Sequence, residues 1–284
     1  MGDAKGLFFD ISLAQWSLHK MLFAKELDNL DFPAYAKNTF GISGVEFVNQ
    51  FFKDKAEDQA YLNDLKGRCT DNGVSPVLIM VDGEGGLGIT KASELTKAIE
   101  NHHKWVEAAK FLGCHSIRVN AFGEGTREEV QLAAIEGLSR LGEFAKPMGM
   151  NIIVENHGGY SSDGSWLSGV MRQVGMDNVG TLPDFGNFCI TRKKGDWETC
   201  LEEYDRYQGT TDLMPFAKGV SAKTHDFDEA GNETKSDYRR LLTIVKEAGY
   251  KGFIGIEYEG SRLSEVEGIK ATKALLEKVG AELS

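Results

Sequence analysis

Residues 115–155 read HSIRVNAFGEGTREEVQLAAIEGLSRLGEFAKPMGMNIIVE, and their pattern decides the fold. A short apolar run, 115–120, ends in polar and glycine-rich residues. A stretch from 127 to 146 then places Val130, Ala134, Leu138 and Leu141 at helical spacing, and a second apolar run follows at 150–155. This is one strand–helix–strand unit, and the chain repeats it. Apolar runs open at residues 7, 42, 74, 115, 150, 179, 219 and 252, about 35 residues apart, the size of one strand, one helix and their loops. Further amphipathic stretches lie between them. Residues 90–112 open on Thr90 as an N-cap, 236–248 open on Ser236 and stop at Gly249, and 264–279 begin with Ser264 followed by Glu267, a capping box. Eight even strand–helix units with no break in composition predict an α/β chain, a single (β/α)8 TIM barrel over residues 1–284.

Composition narrows the function. Hydrophobic residues make up 41% and charged residues 26% of the 284, so the chain is neither disordered nor membrane-spanning. With 32 Lys and Arg against 43 Asp and Glu, the net charge of −11 opposes a phosphate backbone, and no nucleic-acid or membrane partner is expected. Cys69, Cys114, Cys189 and Cys200 form no close pair and read as free thiols in a reducing, cytoplasmic setting. Gly2 opens no myristoylation motif, because position 6 is Gly. Residues 83–88, GEGGLG, match the dinucleotide fingerprint literally. They lack the acidic residue that should end the next strand, however, and read instead as a glycine-rich loop.

In such a barrel the chemistry sits at the C-terminal ends of the strands. The fifth run ends in VENHGG with Glu155, the sixth in LPDFGNF with Asp184, the seventh in SAKTHDF with His225, and the eighth in GIEYEG with Glu257. Carboxylates crowded at one rim repel unless a cation holds them. Three oxygen donors and one imidazole suit one divalent ion, Mn²⁺ foremost, with Mg²⁺, Co²⁺ or Zn²⁺ as alternatives.

These motifs resemble the metal set of the xylose isomerase-like TIM barrels, in the sugar isomerase/epimerase branch that includes ketose 3-epimerases, hydroxypyruvate isomerase and inosose dehydratase. The resemblance spans essentially the whole chain. It implies a divalent-metal-dependent isomerase or epimerase of a sugar or sugar phosphate, with Glu155 and Glu257 as catalytic acid and base. It also implies a small carbohydrate substrate. The metal would chelate a carbonyl and its neighbouring hydroxyl and stabilise an enediolate. A leaving group β to the carbonyl would turn the same site into a dehydratase or lyase acting on a keto-sugar, 3-keto-glycoside or keto-inositol. The sequence leaves a homo-oligomer open. Ketose 3-epimerases carry Glu, His and Arg where this chain has Ser161, Asn187 and Gly231, so those substrate contacts are absent.

Other residues are expected around the substrate. Lys223 is an acid or hydrogen-bond donor, or else a salt-bridged barrel lysine. His157 contacts substrate or orients a ligand, and Glu46 and Asn120 bind hydroxyls. Trp16 and His19 form an apolar wall or pack in the core. Arg262 holds a phosphate or is a solvated arginine at a helix start. His102 and His103 are read as surface residues.

Overall fold

A computed structural model describes residues 6–196 and 199–284 of the chain. Gly2 lies outside the described residues. In chain order the elements are β1 (Asp10–Ala14), α1 (His19–Phe23), α2 (Phe32–Phe40), β2 (Gly44–Val48), α3 (Gln59–Asp71), β3 (Ser75–Met80) and α4 (Ala92–Leu112). Then come β4 (Ser116–Val119), α5 (Arg127–Ala145), β5 (Asn151–Glu155), α6 (Gly164–Val174), β6 (Val179–Leu182), β7 (Cys189–Arg192) and β8 (Cys200–Glu203). The last are α7 (Arg206–Leu213), β9 (Val220–Thr224), α8 (Tyr238–Glu247), β10 (Phe253–Tyr258) and α9 (Glu265–Leu283).

Eight of the strands form one parallel sheet in the order β6-β5-β4-β3-β2-β1-β10-β9. The sheet curls until its edges meet. Asp184 pairs with Ser221 across the seam, the Ser221 N–H donates to the Pro183 carbonyl at 2.9 Å, and the Phe185 N–H donates to the Ser221 carbonyl at 3.1 Å. This is the eight-unit α/β barrel that the sequence pattern predicts.

Alternation along each strand divides the core in two, because successive side chains point to opposite faces. Ile117, Ile152, Ala222, Ile254 and Ile256 face the helices, joining Trp105, Leu138, Leu167, Leu241 and Leu276. Ala14, Val48, Leu78, Met80, Ile153 and Leu182 fill the barrel interior. With both faces buried, strands read as nearly continuous apolar runs, which is why the sequence reveals them. Capping boxes open α5 (Thr126 with Glu129) and α9 (Ser264 with Glu267).

Several expectations are corrected. The first strand begins at Asp10 rather than residue 7, because its pairing with β10 starts at Asp10 opposite Phe253. Thr90 is not a cap: its hydroxyl donates to the Glu124 carbonyl at 2.9 Å, and the helix opens at Ala92 behind an uncapped Lys91. Asp237, not Ser236, caps α8, accepting from the Arg240 N–H at 3.1 Å. His102 is not a surface residue: it is buried, with Nδ1 2.7 Å from the Ala98 carbonyl oxygen.

Residues 83–88 open no helix. There the 83–88 and 121–123 loops pack backbone to backbone, so that a Cβ on Gly88 would lie 2.7 Å from the Ala121 carbonyl oxygen. The cysteines are not all free. Cys189 and Cys200 form a disulfide that staples the antiparallel hairpin β7–β8, an element absent from the strand–helix pattern, while Cys69 and Cys114 are free and buried. Among the described residues no helix is long and apolar enough to cross a membrane.

Candidate active site

Alternation and register together build the site. On β4, Ser116, Arg118 and Asn120 share the phase opposite the helix-facing Ile117 and Val119. On β5 Glu155 shares the phase of interior Ile153, and on β6 Leu182 leads to Asp184. On β9 and β10 the inward positions are Ser221 with Lys223 and Gly255 with Glu257. Register sets Lys223 level with Glu257, and Asp184 level with Ser221. Glu155, Asp184 and Glu257 are all buried, and their ligand oxygens lie within 4.8 Å of one another, a spacing at which three carboxylates could hold a metal ion.

His225 is not brought into that cluster. It lies two residues beyond Lys223, and at about 3.3 Å of rise per residue this carries it some 6–7 Å past the level of Glu257. It is half-buried over the strand end, its backbone N–H donating to Glu233 Oε1 at 3.3 Å. The side chain that reaches the carboxylates from β9 is Lys223. Its ammonium lies 3.1 Å from Glu257 Oε1, 2.9 Å from Glu259 Oε2 and 3.9 Å from Asp184 Oδ2.

Each carboxylate is closely partnered. Asp184 Oδ1 accepts the backbone N–H groups of Gly186 (2.8 Å) and Asn187 (2.9 Å), and its Oδ2 accepts the Ser221 hydroxyl at 2.6 Å. Ser221 Oγ also lies 2.8 Å from Glu257 Oε2. Glu155 Oε1 accepts the Asn187 amide at 3.0 Å, while its buried Oε2 forms an ion pair with Arg118 Nε at 2.9 Å and has no hydrogen-bond partner. Arg118 also reaches Asp82 at 2.7 Å, which in turn accepts from Asn120 at 2.8 Å. Asn120 contacts His157 Nδ1 at 3.1 Å, and His157 is exposed at the mouth.

Burial pushes the Glu155 and Asp184 carboxyls up to about 7, with the cations Arg118 and Lys223 opposing the rise. Burial likewise works against the charge of Lys223. Glu257, Asp184 and Glu259 outweigh it and hold the ammonium well above its ordinary range. For Glu259 the same contest ends lower: burial would raise it, and Lys223 brings it down to about 2.

An aromatic group joins this cluster through Glu259. Trp16 stacks on His19 with centroids 4.8 Å apart, lies 6.3 Å from Phe51, and donates its indole N–H to Glu259 Oε1 at 2.5 Å. Of the expected substrate contacts, Trp16, Lys223, Asn120 and His157 therefore gather at the mouth. Two do not. Glu46 is buried within the barrel, donated to by Ser12 at 2.6 Å, and Arg262 is 67% exposed with a 3.8 Å ion pair to Asp226. A cleft of about 400 Å³ flanks the mouth, lined by residues 121–125, Gly159, Tyr160 and Ile190–Thr191 of the stapled hairpin.

Sequence reading missed Arg118 and Asp82. Arg118 carried a signal, since a guanidinium inside an apolar strand must find a carboxylate. Asp82 was masked by the glycine loop that follows it.

Comparison with known proteins agrees with this architecture. Over 55 residues the chain is 36% identical to the C-glycoside deglycosidase alpha subunit of Arthrobacter globiformis, a match spanning 16% of that subunit's length. Among solved structures, the IOLI protein with a bound zinc atom superposes with a TM-score of 0.73 at 16% identity, covering 96% of this chain and 99% of that one. L-ribulose 3-epimerase superposes with a TM-score of 0.70 at 14% identity, covering 97% and 95%. A family model described as "Xylose isomerase-like TIM barrel" matches residues 34–279. With most of its length matched, the chain belongs to the xylose isomerase-like TIM barrel family.

Proposed function

We propose that this protein is a carbohydrate isomerase or epimerase that moves a proton on the carbon next to a carbonyl group. The observation that carries this reading is the buried group Glu155, Asp184 and Glu257 within 4.8 Å, with Trp16 tied to the same site through Glu259. The Glu155 and Asp184 carboxyls, raised to about 7, can take and return protons at neutral pH. Glu257 is the most exposed of the three, 4% against 1% and 0%, and serves as the base. Glu155, raised to about 7, is the acid that returns the proton. Trp16 offers an apolar face to a sugar ring. His157 and Asn120 supply hydrogen bonds to hydroxyl groups.

The sequence reading placed a divalent ion here, Mn²⁺ foremost, which when bound would polarise the carbonyl as a Lewis acid. The residues meet that ion only in part. The three carboxylates suit it, but the fourth donor, His225, stands outside the group, and an ammonium stands against two of the three oxygen donors. As arranged the set does not fit a divalent ion, and no step is routed through one.

A lyase acting at the same site is the second reading. The 36% match over 55 residues to the C-glycoside deglycosidase alpha subunit supports it, and such a lyase step would pair α-proton abstraction by this site with loss of a β leaving group. A panel of keto-sugars and inososes followed by NMR in D₂O separates the two. Deuterium at the α carbon with the carbon skeleton and substituents intact is the expected result. Release of water or aglycone would establish the lyase, and no exchange across the panel would sink both. The cytoplasmic expectation rested in part on four free thiols; with Cys189 and Cys200 bonded, that part of the argument loses its ground.

A further inference from the structure

The carboxylate group already holds two cations, and both belong to the chain. Arg118 lies against Glu155 at 2.9 Å, and Lys223 lies against Glu257 at 3.1 Å and Asp184 at 3.9 Å. Lys223 is 3% exposed and seated from every side. Glu259 accepts from its ammonium at 2.9 Å, the Tyr238 hydroxyl donates to its carbonyl at 2.8 Å, and its stem passes over Gly186. A Cβ at Gly186 would come within 2.7 Å of Lys223 Cγ, so the sixth βα loop is cut to admit this side chain.

We propose that Lys223 is the resident cation of the active site, occupying the place that a divalent metal takes among such carboxylates, and that the protein binds no divalent ion there. Two physical arguments support it. Asp184 and Glu257 spend their oxygens on Ser221, two backbone N–H groups and Lys223, while Glu155 keeps one oxygen, Oε2, without a hydrogen-bond partner and ion-paired to Arg118, so an ion bridging all three carboxylates would have to displace a buried ammonium. An ion there would part the ammonium from Glu257 and Asp184 and leave it Glu259 alone, and separating a charge from its buried partners is destabilising.

For the reaction, this assignment rests on the proton-transfer reading above. Glu257 takes the α proton, the C–H electron pair moves into the carbon–carbon double bond, and the carbonyl electrons settle on oxygen. The ammonium faces that oxygen as a hydrogen-bond donor without giving up its proton. Reprotonation at carbon reverses the flow.

Metal titration tests the assignment without any substrate. Full-length protein stripped with a chelator is titrated with MnCl₂, ZnCl₂ and MgCl₂ by calorimetry, and its melting temperature is followed in parallel. The wild type should show no saturable binding and no metal-induced rise in melting temperature. Lys223→His removes the ammonium and sets an imidazole level with Glu257. It should gain a saturable Mn²⁺ or Zn²⁺ site, at least about tenfold tighter than the wild type. Stoichiometric Mn²⁺ binding by the wild type, lost in Asp184→Asn, would overturn the proposal. The wild-type titration decides even if Lys223→His fails to fold. A protein that binds no metal and exchanges no α proton would defeat the proton-transfer reading and leave the cation assignment standing.

Discussion

Glu46 shows what the barrel interior does to a single residue. It is 2% exposed, its Oε1 accepts from Ser12 at 2.6 Å, and its Oε2 has no hydrogen-bond partner. Burial first, then the charges of Glu257 and Glu155, push its carboxyl up to about 8 against a relief from Ser12. The folded protein therefore keeps a proton on Glu46 that the unfolded chain releases near pH 4.5, and stability falls as pH rises between 4.5 and 8. Glu46→Gln removes this dependence. Urea unfolding should show the variant gaining on the wild type from pH 5 to pH 8, by up to about 4 kcal/mol. Parallel pH profiles for the two proteins would show that Glu46 stays charged.

The sequence flagged Glu46 as polar within an apolar strand but not its depth, which depends on where β2 meets β1. The same limit explains Lys223 and His225. Both sit in SAKTHDF, and only the register against β10 reveals that Lys223, not His225, is level with Glu257. Glu155, Asp184 and Glu257 were legible because a carboxylate closing an apolar run has nowhere to go but the rim.

At the scale of elements, the parallel strands and their helices are written in hydrophobic runs and caps, whereas the hairpin β7–β8 is not. Its residues are largely exposed, its pairing is antiparallel with two irregular steps, and no hydrophobic alternation announces it. The disulfide supplies what the core does not, closing a span of 11 residues. A bridge over so short a loop contributes roughly 2–4 kcal/mol to the structure it closes. Reduction should therefore loosen the hairpin while leaving the barrel folded. Limited trypsin digestion should cut at exposed Lys193 and Lys194 faster after dithiothreitol, with far-UV circular dichroism unchanged. Equal cleavage rates would show that the hairpin holds without its staple. The cleft of about 400 Å³ that Ile190 and Thr191 help to line should open in the same experiment.

For the whole molecule, the barrel exists to bring distant side chains to one rim. Glu155 and Glu257 are about a hundred residues apart in sequence, and Trp16 meets Glu259 across 243. The net charge of −11, which first excluded nucleic acid, also has a local counterpart. Asp82, Glu155, Asp184, Glu257 and Glu259 converge on the two cations Arg118 and Lys223, and among them burial raises Glu155 and Asp184 to about 7, so these two share protons near neutral pH. That sharing is what makes the rim suited to proton transfer. The most direct test compares α-proton exchange with D₂O, by NMR on an accepted keto-sugar, for wild type, Glu155→Gln and Glu257→Gln. Each glutamine variant should remain folded and lose at least about 100-fold in exchange rate. Exchange at the wild-type rate in Glu257→Gln would contradict the account.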